Sequence, residues 1–369
     1  MLKARGDRGC CDRCAGAAGM ADAARVARRR LFKDAVFGLT PDLAPDPGPL
    51  GREGDGPGAS GQGPGSGPAE PGLTDAGRLP RAVTGTVLDV SPHVLVIGDL
   101  DGPGPEQRFT LTADAMTWRG GQAEPTGLHQ GDQAVVRLHP SQRAVVDRIW
   151  ANIGRVTGTI VEQGHDFVIV DEGAIRRRQT VRIPARAAGR IQVRFPTLQP
   201  GYLIDVIGLR QDDHLEGLIP ATSQPAYPAD RLPEPPLISG HVPDTISGSA
   251  TWHEPTTGEP PGVLGAYYPA LDPETGCVED TIAGYPRGYA RMPYLAVGSA
   301  LMIRNDCSGT SCVLPVTGCA AVARLFNDRC VTCGTSPRGR VADLTQASFV
   351  ALGGELDKGC FNATISIGR

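Results

Sequence analysis

The middle of the chain consists of short apolar runs separated by Gly, Asp and Pro, and this pattern occurs twice. Val83–Leu88 recurs as Val156–Val161, and both copies begin Val-Thr-Gly-Thr. Each copy continues into a second apolar run, His93–Ile97 or Asp166–Val170. Runs of this length between turn residues are typical of strands, and the repeat indicates one small unit built twice. The sequence therefore predicts two small tandem β-barrel modules, residues 81–152 and 153–225.

The segments that flank these modules lack the apolar positions of a folded core. Residues 1–40 are basic and rich in Ala, and residues 41–80 form a Pro/Gly/Ser tract, so we expect residues 1–80 to be a disordered N-terminal region. Residues 226–245 are rich in Pro and predict a stiff linker. The sequence Arg-Arg-Leu-Phe-Lys at 29–33 is close to a twin-arginine export consensus, but the segment after it is too short and polar for a signal peptide. An export signal is therefore not recognisable, and a basic helix without an export role is the alternative.

Residues 246–369 carry the pattern of a third β-rich domain. The apolar run Ala320–Phe326 predicts a strand that ends just before Asp328. Asp343 follows a Gly/Pro-rich turn and precedes apolar residues at helical spacing, which is typical of a helix N-cap. We therefore expect these two carboxylates to approach one cleft from consecutive elements.

Composition narrows the class of protein only slightly. The net charge of −4 gives no indication of a nucleic-acid partner, and 40% hydrophobic residues are enough for packed cores. No run of eighteen apolar residues is present, so we expect no transmembrane segment. The 49 Gly and 33 Pro residues favour short elements joined by many turns.

The ten cysteines are concentrated at the two ends of the chain. Three lie within the first fourteen residues, and seven lie in the last third: Cys277, Cys307, Cys312, Cys319, Cys330, Cys333 and Cys360. This density predicts a disulfide-stabilised and therefore exported domain, in which at least one cysteine stays free or pairs elsewhere because seven is odd. The alternative is a zinc site made by the Cys-x4-Cys at 307–312 and the Cys-x2-Cys at 330–333. Disulfides are the preferred interpretation, and we expect no metal and no other cofactor.

Several motifs in the last third resemble those of one family. They are Gly-Ser-Ala-Thr-Trp at 248–252, Asp-Arg-Cys-x-x-Cys at 328–333, Ala-Asp-Leu-Thr-x-Ala-Ser-Phe-x-x-Leu-Gly at 342–353 and Gly-Cys-Phe-Asn-Ala-Thr-Ile at 359–365. Together they resemble the double-psi β-barrel shared by expansins, rare lipoprotein A-like proteins, barwin and family-45 endoglucanases. The resemblance covers residues from about 246 to 368 and implies a six-stranded barrel. The two central modules more loosely resemble the small OB-like barrels repeated in bacterial envelope proteins.

The resemblance also implies a substrate groove lined by acidic residues. Carried over to this sequence, the groove carboxylates are Asp328 and Asp343, Asp343 is the general acid of the enzymatic members, and Thr251 is the hydroxyl that lines the same groove. Proton donation to the leaving oxygen is what acid-catalysed glycoside cleavage requires. Structural roles are the alternative, with Asp343 as a helix cap and Asp328 as a partner of Arg329 or part of a turn. Expansin-like members keep the acid, lack a second base and loosen polysaccharide without hydrolysing it.

Other residues of this domain are candidates for contact with sugar. Trp252, Tyr289, Tyr294 and Arg329 are the predicted substrate-binding residues, and stacking on sugar rings or packing beneath long loops are the two readings of the aromatic ones. Rare lipoprotein A-like lytic members carry a histidine before the segment equivalent to 292–303, and this sequence has none there. His253 lies elsewhere and is interpreted as a groove or surface residue rather than a base.

Arginines are concentrated on the second module. They are Arg176, Arg177, Arg178, Arg182, Arg186, Arg190 and Arg194. A solvated face is the preferred interpretation, with an anionic wall polymer and then nucleic acid as alternatives, because aromatic stacking platforms are scarce in this module.

The sequence thus predicts a mainly β protein with two tandem modules and a C-terminal barrel of six strands. The predicted function is binding and remodelling of cell-wall polysaccharide, peptidoglycan or β-glucan, by a secreted or wall-associated protein, with a cytoplasmic location as the alternative. A non-catalytic barwin-like scaffold is the second hypothesis. An intracellular zinc- or nucleic-acid-binding protein is the third.

Overall fold

The fold is mainly β, as predicted. The computed structural model describes residues 82–100, 104–142, 144–173, 178–222, 228–229, 245–256, 258–260, 262–271, 292–293, 295–320, 322–326 and 339–367. All of them belong to one compact unit, Leu73–Arg369. The predicted disordered region 1–80 lies outside the described residues. Within the described ranges, no helix combines the length and the hydropathy needed to span a bilayer.

The first module is a seven-stranded sheet in the order β3-β2-β1-β6-β7-β4-β5. Its strands are β1 (Ala82–Val90), β2 (Val94–Gly98), β3 (Gln107–Thr110), β4 (Met116–Trp118), β5 (Gln122–Ala123), β6 (Gln133–Leu138) and β7 (Val146–Ala151). A 3-10 turn at Pro125–Gly127 leads into β6. The strands pair antiparallel except β4 with β7, and apolar side chains such as Val87, Leu95 and Ile149 fill the core beneath them.

The second module is a closed five-stranded barrel in the order β10-β12-β11-β8-β9. Its strands are β8 (Ile153–Gln163), β9 (Phe167–Asp171), β10 (Gln179–Arg182), β11 (Leu203–Arg210) and β12 (Leu215–Pro220). Helix α1 (Ala185–Arg194) lies between β10 and β11 and directs Ala187 and Ile191 into the core. The parallel pair of β10 and β12 closes the barrel.

The two modules share one strand order, which explains the sequence repeat. β1, β2, β3, β6 and β7 correspond in order to β8, β9, β10, β11 and β12. In the first module the closing pair is reduced to a single parallel bridge between Thr110 and Val145. The prediction of two closed modules is therefore met by the second module only, because the hairpin β4-β5 pairs with β7 where the closing strand would lie.

The glycine of the repeated Val-Thr-Gly-Thr motif has the same role in both modules. A Cβ atom on Gly85 would lie 2.3 Å from the carbonyl oxygen of Gly98, and a Cβ atom on Gly158 would lie 2.1 Å from that of Asp171. Both contacts are with the end of the next strand in the sheet. The repeat therefore preserves a close backbone approach that only glycine permits.

The C-terminal domain is a closed six-stranded barrel, which confirms the predicted strand number. Its strands are β13 (Thr245–His253), β14 (Ala266–Tyr268), β15 (Ala300–Asn305), β16 (Ser311–Cys319), β17 (Arg340–Thr345) and β18 (Cys360–Ile367). The strand order is β13-β17-β14-β16-β15-β18, with parallel pairs β13/β17 and β14/β16. Helix α2 (Gln346–Ala351) follows β17, and 3-10 turns lie at Val322–Leu325 and Leu356–Lys358.

Two local predictions in this domain are wrong. The apolar run 320–326 contains a 3-10 turn instead of a strand. Asp343 does not cap a helix: it lies inside β17, and Thr345 caps α2 by accepting a hydrogen bond from the Ser348 amide. β17 lacks the alternation typical of a half-buried strand, because Val341, Ala342 and Leu344 are all buried.

The C-terminal barrel shares one apolar cluster with residues of both modules. One apolar cluster contains Trp118 and Trp150 of the first module, Ile153 and Ile207 of the second, and 25 buried residues of the C-terminal domain such as Ile303. Of the predicted linker 226–245, the described Pro228 bridges to Tyr202 of the second module. The modules therefore pack directly against the C-terminal barrel.

A buried ion network crosses the contact between the second module and the C-terminal barrel. Asp205 accepts hydrogen bonds from Arg155 and from Arg340, each with a contact of 2.7 Å to Asp205 Oδ2. Arg155 Nη1 also donates to the backbone carbonyls of Trp252 and Gly359, over 3.2 and 2.6 Å. Since Arg340 begins β17 and Trp252 lies on β13, this network fixes two neighbouring strands of the C-terminal barrel.

Candidate functional site

Three neighbouring strands of the C-terminal barrel place polar side chains at one level. β17 lies between β13 and β14, and Asp343 on β17 is the register partner of both Thr251 and Tyr267. Strand alternation sends Ala250, Trp252 and Leu344 into the barrel core, so Thr251, Asp343 and their neighbour His253 share the opposite face.

Asp343 is held by a hydroxyl and remains partly open to solvent. Thr251 Oγ1 donates a hydrogen bond to Asp343 Oδ1 over 2.9 Å. Thr251 is fully buried, whereas the Asp343 side chain keeps 19% of its surface exposed. Because each carboxylate oxygen has two acceptor positions, Asp343 can contact a ligand while the Thr251 bond persists.

His253 lies beside this carboxylate and faces a second one. The imidazole is 1% exposed and stacks on the Tyr267 ring, with ring centroids 4.0 Å apart. Its Nδ1 is 3.7 Å from Asp343 Oδ2, and its Nε2 is 3.5 Å from Glu259 Oε2. Neither ring nitrogen has a hydrogen-bond partner among the described residues. The ring therefore lies between two carboxylates without being fully satisfied by either.

Glu259 is fixed by the loop that follows β13. Its Oε2 accepts hydrogen bonds from the amide and the hydroxyl of Thr256, over 3.0 and 3.3 Å, and from the Tyr267 hydroxyl over 3.4 Å. The Glu259 amide in turn donates to the Thr256 carbonyl. The Glu259 side chain is 12% exposed. The loop thus holds a second carboxylate at a defined position next to the imidazole.

The arrangement is suited to proton transfer. Asp343, His253 and Glu259 form a row of three titratable groups whose two ends reach solvent and whose centre is buried. A carboxyl positioned by a hydroxyl is a candidate general acid, and an imidazole with a carboxylate on its far nitrogen is a candidate base. No group of three or more His, Cys, Asp or Glu suited to a metal ion occurs among the described residues.

The predicted site residues have different outcomes. Thr251 and Asp343 are brought together. Trp252 is not a sugar platform: it is 1% exposed and its indole N–H donates to the Leu356 carbonyl over 2.9 Å, so it is a core residue. The remaining predicted residues lie outside the described residues and stay predictions: Asp328, Arg329, Tyr289 and Tyr294.

Glu259 was missed in the sequence, and His253, which was interpreted as a groove or surface residue, is buried beside Asp343. His253 is two positions after Thr251 on one strand, so strand periodicity places both on one face, and this signal was present in the sequence. Glu259 follows a loop whose path depends on the turn at Gly258, which has φ +84°. No periodic pattern relates this residue to His253.

The described cysteines do not form a metal site. Cys307 and Cys319 are disulfide-bonded. Cys312 is a free thiol, and burial raises its pKa. A zinc site that uses Cys307 is excluded by its disulfide. Cys277, Cys330 and Cys333 lie outside the described residues.

The arginines that were predicted to form a solvated face on the second module are solvent-exposed where they are described. They are Arg178, Arg182, Arg186, Arg190 and Arg194. Arg186 forms an ion pair with Glu216. Exposed side chains on α1 and its neighbouring strand agree with the predicted solvated face.

Comparison with known proteins adds no relationship. No protein-family model matches the chain, and no curated protein is similar enough to be a match.

Proposed function

We propose that the C-terminal barrel acts on a cell-wall polysaccharide, peptidoglycan or β-glucan, with Asp343 as the proton donor. The observation that carries the proposal is the hydrogen bond from Thr251 to Asp343. It fixes the orientation of a partly exposed carboxyl group on a rigid sheet. Sites on strands hold their side chains more firmly than sites on loops. A carboxyl in this setting can protonate the leaving oxygen of a glycosidic bond.

The barrel topology supports the same proposal. A closed six-stranded barrel with two parallel pairs, each formed by strands that are not consecutive in the chain, is compatible with a double-psi β-barrel. The disulfide-bonded Cys307 and Cys319 favour an oxidising compartment. We therefore propose that the protein is secreted or associated with the cell wall.

The test compares wild type with Asp343→Asn on insoluble peptidoglycan and on insoluble β-glucan. Released sugar is measured by mass spectrometry, and bound protein is measured by co-sedimentation. We expect wild type to release fragments from one polymer and Asp343→Asn to release at least about a hundredfold fewer, as loss of a general acid does. Binding should be retained in the variant.

Asp306→Asn is the matched control. Asp306 also accepts a hydrogen bond from a threonine of the same barrel, Thr364, over 3.0 Å, but in an exposed position. This variant should release sugar as wild type does. If neither wild type nor Asp343→Asn releases sugar and both bind the wall equally, catalysis through Asp343 is refuted and the non-catalytic scaffold is the remaining hypothesis.

A further inference from the structure

The position of His253 between two carboxylates constrains where protons are held. A neutral imidazole has one N–H donor and one lone pair, yet Nδ1 faces Asp343 and Nε2 faces Glu259. Two arrangements avoid a lone pair facing a carboxylate. Either an imidazolium lies between two carboxylates, or a neutral imidazole lies between one carboxylate and one carboxylic acid. Both arrangements contain the same number of protons, so the three groups share a proton as one unit.

The imidazole is not explained as an ordinary core residue. It is buried, and within the described ranges no hydrogen bond satisfies either nitrogen. Burying polar atoms in this way is unfavourable unless another role retains them. The distances of 3.7 and 3.5 Å are slightly beyond hydrogen-bond range. Contacts of this kind in free enzymes often tighten only when substrate is bound.

We propose that Glu259, positioned beside His253, is the base that complements Asp343, and that the barrel therefore hydrolyses its polysaccharide with water. This inference rests on the proposed function, in which Asp343 is the acid. It distinguishes hydrolysis from loosening without cleavage, which requires no base. It also distinguishes hydrolysis from intramolecular transfer, in which a hydroxyl of the sugar replaces water.

The proton balance of the reaction closes without any further reagent. Asp343 transfers its proton to the glycosidic oxygen as the bond from that oxygen to the sugar carbon breaks. A water oxygen forms a new bond to the same carbon, and the proton that this water loses passes to Glu259. Glu259 then releases this proton to solvent and Asp343 takes one up from solvent, because both carboxyl groups are partly exposed. Each group returns to its starting state, and no electrons are transferred to or from the protein.

The first experiment identifies the attacking oxygen. Wild-type protein digests its polymer in water enriched in 18O, and the fragments are analysed by mass spectrometry immediately. We expect one 18O atom in each new reducing end. Unlabelled anhydro-sugar ends would overturn hydrolysis but leave the proposed function intact. Absence of any released sugar would overturn both.

The second experiment tests the base. In Glu259→Gln and His253→Gln we expect kcat to fall about a hundredfold or more, with unchanged binding to the insoluble polymer. The pH–rate profile should lose the limb that belongs to the base while it keeps the limb that belongs to Asp343. Glu216→Gln, on the second module, is the matched control and should retain wild-type rates. Wild-type rates and an unaltered profile in both site variants would refute the assignment to Glu259 and His253.

A third measurement separates a base from a structural residue. Glu259→Ala leaves space beside the imidazole for a small carboxylate. Added formate should therefore raise the rate of this variant at least about tenfold. Formate should have no effect on Asp343→Asn. A folded Glu259→Ala variant that formate does not rescue would contradict the role of Glu259 as base.

Discussion

Thr251 and Asp343 are register partners on adjacent parallel strands, and the Thr251 hydroxyl donates to Asp343 Oδ1 over 2.9 Å. Parallel strands rarely begin from segments close in sequence, and these two residues are 92 positions apart. The relationship therefore depends on the closure of the whole barrel. The hydrogen bond fixes the orientation of the Asp343 carboxyl group, which stays partly exposed to solvent.

Thr251→Val removes this hydrogen bond and keeps the shape of the side chain. Asp343 becomes charged as it gives up its proton, and a hydrogen bond to a charged group contributes about 1.5–3 kcal/mol, so we expect kcat to fall about tenfold or more while KM changes little. Steady-state kinetics on soluble fragments of the polymer give both constants. Thr364→Val removes the analogous bond to the exposed Asp306 and should leave both constants unchanged. Equal losses in the two variants would show that the Thr251 bond does not orient the acid.

The strand content of the modules was predictable because their signals are local. The Val-Thr-Gly-Thr repeat, the alternation of apolar residues and the turn residues between runs all lie within about ten positions. Because the two copies share this repeat, the strand order of one copy also predicts the strand order of the other. The missing closure of the first module was not predictable, since it depends on where the hairpin β4-β5 pairs.

The candidate site was predicted only in part because its members are distant in sequence. Asp343 was identified, but its element was not, since an acidic residue before an apolar run also occurs at helix starts. Trp252 was wrongly assigned to the groove, because strand alternation places it on the face of β13 opposite to Thr251, in the core. The contacts of His253 with Asp343 and Glu259 depend on the register of β13 with β17 and on one loop. Register and loop path are tertiary properties.

Asp205→Asn should strongly destabilise the protein. Asp205 is fully buried and compensates Arg155 and Arg340, both of which are also buried. Breaking a buried ion pair costs about 3–5 kcal/mol because it leaves charge without a partner. The free energy of unfolding, from urea denaturation, measures this loss. Asp213→Asn is the exposed control and should unfold like wild type, and an equal midpoint for Asp205→Asn would contradict a structural role of the network.

The same residue predicts how stability depends on pH. Burial alone would raise the pKa of Asp205, but the charges of Arg155 and Arg340 and the hydrogen bonds from Arg155 and Thr157 lower it to about 2. Since the folded pKa lies below the ordinary value of 3.8, the stabilisation is complete above about pH 4. It is lost as pH falls from there through about 2, and amounts to about 2 kcal/mol.

Denaturation at several pH values between 6 and 2 tests this dependence. The difference in unfolding free energy between wild type and Asp205→Asn should be constant above about pH 4 and should narrow below it, because only wild type has this carboxylate to protonate. A difference that stays constant down to pH 2 would show that Asp205 is not the titrating group.

Gly359→Ala should disturb the contact between the second module and the C-terminal barrel. Gly359 has φ +82°, and a Cβ atom there would lie 2.2 Å from the carbonyl oxygen of Ala221 in the second module. Gly309 has a similar φ of +77° but no atom within 4 Å of such a Cβ. Gly309→Ala therefore measures only the cost of a side chain on a left-handed backbone, about 1–2 kcal/mol in the free energy of unfolding. Gly359→Ala should lower the free energy of unfolding by about 1–3 kcal/mol more than Gly309→Ala does, because the new Cβ atom also overpacks the contact.

The effect of Gly359→Ala should also reach the site. Gly359 accepts a hydrogen bond from Arg155, and the next residue, Cys360, is the register partner of Thr251. A displaced Gly359 therefore shifts the strand next to β13, and we expect sugar release to fall in Gly359→Ala but not in Gly309→Ala. Release is compared at a temperature where both variants are folded by circular dichroism. Wild-type release by a destabilised Gly359→Ala would show that the packing of the second module supports the stability of the barrel but not the geometry of Asp343.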